Sequence, residues 1–152
     1  MEPNRTLRWV ETISVEDGSM PLRSYHQQRM EQTIRDHFDD PDIPQLDDIP
    51  IPEKARQDWY KCRVVYDQKI RSVEWVPYSI KTLDRLVLKE VPDLKYSYKW
   101  ADRTALNALT SDLDSGEDVL ITQNGLLKET SYANILCDDG QDLWTPEHPL
   151  LH

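Results

Sequence analysis

Apolar positions recur along this chain with two different spacings, and they divide it into elements. Residues 8–14, RWVETIS, read as a short strand, and Glu16-Asp17-Gly18 marks a turn after it. Across 22–38, Leu22, Tyr25, Met30, Ile34 and Phe38 fall at roughly helical spacing with polar residues between them. His26 and Arg29 are three residues apart on that helix, so they share a face and can converge on one point. Residues 39–53, DDPDIPQLDDIPIPE, break the pattern: four prolines and five aspartates exclude a regular helix and predict an extended, solvated connection. One helical turn is expected over Arg56–Tyr60. Two strand-like runs follow, YKCRVVYD over 60–67 and KIRSVEWVP over 69–77, joined as a hairpin. Arg85–Lys89 reads as a strand and residues 99–114 as a helix, with Ala101, Leu106, Leu109 and Leu113 facing inward. DVLITQ over 118–123 is a strand, and Asn124-Gly125 is the strongest hairpin signal in the chain. The partner strand, from Leu126 to Cys137, is interrupted at Glu129-Thr130-Ser131. Asp138-Asp139-Gly140 makes a further turn before a last short strand at Asp142-Leu143-Trp144.

Composition narrows what such a chain can do. Its 152 residues suffice for one ordinary domain or two small lobes. A net charge of -10 disfavours a nucleic-acid backbone as partner, although a local pocket can still be positive. No run approaches the roughly eighteen apolar residues that span a bilayer, and MEPNRTLRW lacks the apolar core of a signal peptide. The expectation is a soluble cytoplasmic protein. Cys62 and Cys137, the two cysteines, are far apart in apparent strands and are expected to be buried free thiols. His37, His148 and His152 form no zinc-ligand pattern with each other or with the cysteines, so no metal is expected.

The chemistry concentrates around YSYKWADRTA, residues 96–105. Lys99 sits there among Tyr96, Tyr98 and Trp100. Aromatic surroundings solvate an ammonium poorly, which lowers its pKa and frees the amine as a nucleophile able to hold a cofactor aldehyde. Taken singly, each candidate also has a plainer reading. Lys99 can be a solvated surface lysine. Glu129 can be a polar residue at a strand irregularity. Arg29 can be an ion pair with Glu31 or Asp36, and Asp102-Arg103 a structural pair near a helix start.

Five segments in order resemble the class IV aminotransferase family, the fold-type IV pyridoxal-phosphate enzymes: WVETISVEDGSMPLRSYHQQRMEQT, YKCRVVY, YSYKWADR, DVLITQNGLLKETSYANIL and LWTPEHPLL. Together they cover most of residues 9–151. The resemblance implies an α+β fold of two lobes, an N-terminal lobe over 1–88 and the start of a cofactor-binding lobe over 89–152. It implies pyridoxal 5′-phosphate as cofactor, with Lys99 forming the Schiff base and moving the substrate's alpha proton. Glu129 is implied to bond the pyridine nitrogen, where a carboxylate keeps the ring an electron sink. Arg29, on the His-x-x-Arg helix, is implied to grip the phosphate through its planar fork.

Within the family, Thr12 in Glu11-Thr12-Ile13 resembles the threonine of aminodeoxychorismate lyases, where branched-chain aminotransferases have glycine. That implies elimination of pyruvate to give 4-aminobenzoate, a folate precursor, with the Thr12 hydroxyl relaying a proton. A branched-chain or D-amino acid aminotransferase and a non-catalytic relative remain alternatives. A homodimer is implied, with Trp75-Val76-Pro77-Tyr78 and Ile13 as candidate contact surface. The sequence reaches its end at Pro149-Leu150-Leu151-His152, ahead of the Gly-Thr/Ile-x-Arg turn and helix that the resemblance implies next, so the second lobe is expected to be incomplete.

Overall fold

The computed structural model describes residues 7–151, which fall into two compact units. The first holds residues 7–80 together with Lys99–Ala101; the second holds Lys81–Tyr98 and residues 102–151.

The first unit is a three-stranded antiparallel sheet, β1 (Trp9–Glu16), β2 (Trp59–Tyr66) and β3 (Ile70–Pro77), in that order, with the helix α1 (Arg23–His37) between the first two in sequence. Register puts Ile13 opposite Cys62, and Cys62 opposite Trp75. Alternation then assigns Trp9, Glu11, Ile13 and Val15 to one face, all fully or almost fully buried. α1 supplies Met30, Thr33 and Ile34 as its buried residues. Ile13, expected on a contact surface, is instead 1% exposed and belongs to this core. Val76 and Tyr78 keep more than a third of their surface exposed.

The acidic segment after α1 is not simply a solvated connection. It contains a short 3-10 turn, η1 (Leu46–Asp48), whose Leu46 is buried. Gln27 on the helix explains why it packs: its Nε2 donates to the Pro44 carbonyl at 3.1 Å, and its Oε1 accepts the Leu46 N–H at 2.8 Å. The helical turn expected at Arg56–Tyr60 lies earlier, as η2 (Glu53–Ala55), because Trp59 and Tyr60 are already claimed by β2 pairing.

The second unit is a sheet of β4 (Arg85–Glu90), β5 (Glu117–Gln123) and β6 (Leu126–Thr130). β4 and β5 are parallel, and β5 and β6 form the hairpin that Asn124-Gly125 predicted. Both turn residues take positive φ, 52° and 74°. The Glu90 carboxylate accepts the Asn124 N–H at 2.5 Å and the Thr122 hydroxyl at 2.6 Å. The helix expected over 99–114 is confined to α2 (Thr104–Ala108), with Leu106 buried. Its start is fixed by Asp102, whose Oδ1 accepts the Thr104 N–H at 2.9 Å. Residues N-terminal to it are diverted, because Trp100 pairs with β1 as an isolated bridge. A two-stranded ribbon, β7 (Cys137–Asp138) and β8 (Leu143–Trp144), follows. No helix of the described residues is long and apolar enough to cross a membrane.

Candidate active site

On β1 the sequence places a carboxylate where alternation demands an apolar residue. Glu11 has no exposed surface. A charge there survives only if its hydrogen-bonding capacity is filled. α1 fills it. His26 Nδ1–H donates to Glu11 Oε2 at 2.7 Å, Arg29 Nε–H donates to Oε1 at 2.9 Å, and Arg29 Nη2 closes a second bond to Oε2. Burial alone pushes the Glu11 carboxyl up, but the bonds from His26 and Arg29 outweigh it and hold it below the usual range. The same negative charge, added to burial, pushes the nearby Tyr66 phenol well above its ordinary value.

Thr12, next along the strand, is exposed on the opposite face. Its cross-strand neighbour on β2 is Arg63, whose guanidinium lies 3.5 Å from Glu74 on β3. Lys99 joins this strand from the other side. The Val10 N–H donates to the Lys99 carbonyl at 2.9 Å, and the Ala101 N–H donates to the Arg8 carbonyl at 2.9 Å. These two bonds frame Trp9 and Trp100 as a closely spaced antiparallel pair. Trp100 lies on the buried side, its ring stacked on Trp9 with centroids 5.4 Å apart. Alternation therefore turns half-buried Lys99 to the face of Val10 and Thr12.

Three of the four candidates thus sit in the first unit: Thr12 and Lys99 on one face of the β1 strand, Arg29 on the other. Glu129 lies in the second unit, on β6, buried to 7% exposure, with the Leu151 N–H 3.4 Å from its Oε2. Arg103 supports the segment beyond Glu129 by donating to the Ser131 carbonyl at 2.5 Å. Each by its own chemistry, a primary amine can meet an aldehyde, a carboxylate a pyridine nitrogen and a guanidinium a phosphate. Glu11 is the residue that sequence reading passed over. Its signal was a charge at the inward position of a strand with apolar residues on either side of it on the same face.

No family profile matches this chain. It is 26% identical to the solved "putative 4-amino-4-deoxychorismate lyase" of Haemophilus somnus 129PT, covering 97% of this chain and 79% of that one with a TM-score of 0.87. A "hypothetical aminotransferase" of Mycobacterium tuberculosis in its PLP-bound form aligns at 21% identity and a TM-score of 0.73, over 98% of this chain and 64% of that one. An uncharacterised protein of Haemophilus influenzae is 24% identical over 144 residues, 93% of this chain and 77% of its own. The architecture is that of the fold-type IV pyridoxal-phosphate enzymes. The chain is similar both to putative 4-amino-4-deoxychorismate lyases and to aminotransferases of that fold.

Proposed function

We propose that this chain is a pyridoxal-phosphate-dependent lyase that eliminates pyruvate from 4-amino-4-deoxychorismate and releases 4-aminobenzoate. The observation that carries the reading is the likeness to the Haemophilus somnus protein, the one solved relative described above that exceeds a quarter identity. The exposed Thr12 on the Lys99 face of β1 supports the lyase over the aminotransferase.

In this reading Lys99 would hold the cofactor aldehyde, and its free amine would take the proton from the substrate's alpha carbon. Glu129 keeps the pyridine nitrogen protonated, and Arg29 holds the phosphate. The bound cofactor supplies an electron sink for the carbon that loses its proton. Thr12 delivers a proton to the departing enolpyruvyl oxygen. Half-buried surroundings at Lys99 limit water around the amine. The protein works in this reading as a cytoplasmic homodimer.

The test is a pair of half-reactions on protein loaded with pyridoxal phosphate. Wild type releases pyruvate from 4-amino-4-deoxychorismate. Lys99→Ala loses the visible cofactor band and its pyruvate release falls by at least about 10³-fold, within the range for loss of a positioned proton-transfer group. Conversion of the cofactor to its amine form by an amino acid, without pyruvate release, would replace the lyase reading by the aminotransferase one.

A further inference from the structure

We infer that Trp9 and Trp100 form an aromatic clasp that positions Lys99, making both tryptophans positioning residues for the reactive amine; this rests on Lys99 holding the cofactor as proposed above. Three observations carry the inference. Lys99–Ala101 belong to the first unit although Tyr98 and Asp102 on either side belong to the second. A short backbone bridge holds them there, the Val10 N–H donating to the Lys99 carbonyl and the Ala101 N–H to the Arg8 carbonyl, each at 2.9 Å.

The side chains supply the third. Trp9 has no exposed surface, and its ring meets Trp100 at 5.4 Å and 29°, His37 at 4.6 Å, Phe38 edge-on at 6.2 Å and Tyr66 at 6.0 Å. Trp100 also meets His37 edge-on at 6.2 Å. Aromatic pairs in such arrangements add stabilisation beyond the area they bury. Because Trp100 is drawn inward, strand alternation drives its neighbour Lys99 outward onto the Thr12 face. The clasp acts on which way the lysine points.

The experiment compares wild type with Trp100→Leu and Trp100→Phe, residue 100 being the half-buried half of the pair. Amide exchange is read on the cofactor-free proteins. Each is then treated with pyridoxal 5′-phosphate and borohydride, and the modified lysines are mapped by mass spectrometry. In Trp100→Leu the Val10 and Ala101 amides lose protection while β1 amides paired to β2 keep theirs. Modification of Lys99 slows by about 10-fold or more, as expected for a reactive group displaced by an ångström. Modification of Lys61 and Lys69 is unchanged, and Trp100→Phe recovers most of the Lys99 rate. Equal Lys99 modification in wild type and Trp100→Leu, or a uniform change at every lysine, would overturn the clasp and leave the proposed function standing. No modification of Lys99 in wild type would overturn both.

Discussion

Replacing Glu11 by alanine tests whether the buried carboxylate organises the first unit. The substitution removes a group with no exposed surface that accepts bonds from His26 and from two nitrogens of Arg29. Taking one partner out of a buried ion pair costs about 3–5 kcal/mol when the other is left stranded. The stranding here is partial, because the Arg29 side chain is 28% exposed and that of His26 15%. Both recover some water, which brings the expected loss to about 2–3 kcal/mol. With a urea slope of about 2 kcal/mol/M, the midpoint falls by roughly 1–1.5 M. Urea titration followed by tryptophan fluorescence reads this directly, since Trp9 lies in the same core.

The pH dependence fixes the sign. The Glu11 pKa is lowered in the folded protein from 4.5. Its stabilisation is therefore fully present above that unfolded value and is lost as pH falls through the folded one. The gap between wild type and Glu11→Ala should be flat above pH 4.5 and narrow in acid. A midpoint within about 0.2 M of wild type at neutral pH, at that same slope, would refute the reasoning, as would a gap that widens in acid.

Two further outcomes follow from single positions. Gly116 has φ of +90° and a Cβ added there would stand 2.6 Å from Asp84 Oδ2, so Gly116→Ala should lower stability by about 1–2 kcal/mol, read as a drop in melting temperature. Burial pushes the Cys62 thiol up to about 11, so an aromatic disulfide reagent at pH 8 should leave Cys62 unmodified in folded protein and modify it on unfolding.

How far the chain could be read from its sequence depended on whether local signals met competition from distant contacts. β1, α1, the β2–β3 hairpin and the Asn124-Gly125 turn were legible, because each is specified by its own spacing or its own left-handed residues. The helix expected over 99–114 failed at its start. Trp100 finds a better partner in Trp9, ninety-one residues away in sequence, than in its own helical turn. The acidic segment was misjudged for a similar reason, since Gln27 satisfies its backbone from a helix that local composition does not reveal. For the candidate site, Lys99, Thr12, Arg29 and Glu129 could be named from the order of motifs. The partnership of Arg29 with Glu11 could not, because it is made by which sheet face α1 covers.

The Glu90 grip on the β5–β6 turn has a consequence for how the protein ages. An asparagine followed by glycine is the chain's most exposed point for spontaneous deamidation, in which the glycine nitrogen attacks the asparagine side chain and closes a five-membered ring. Glu90 holds the Asn124 N–H at 2.5 Å and stands 3.4 Å from the Gly125 nitrogen, and both turn residues are fixed in left-handed conformations. Ring closure needs that nitrogen to leave its place and the turn to unwind. A single carboxylate at the end of β4 thus sets the chemical lifetime of a turn more than thirty residues further along the chain.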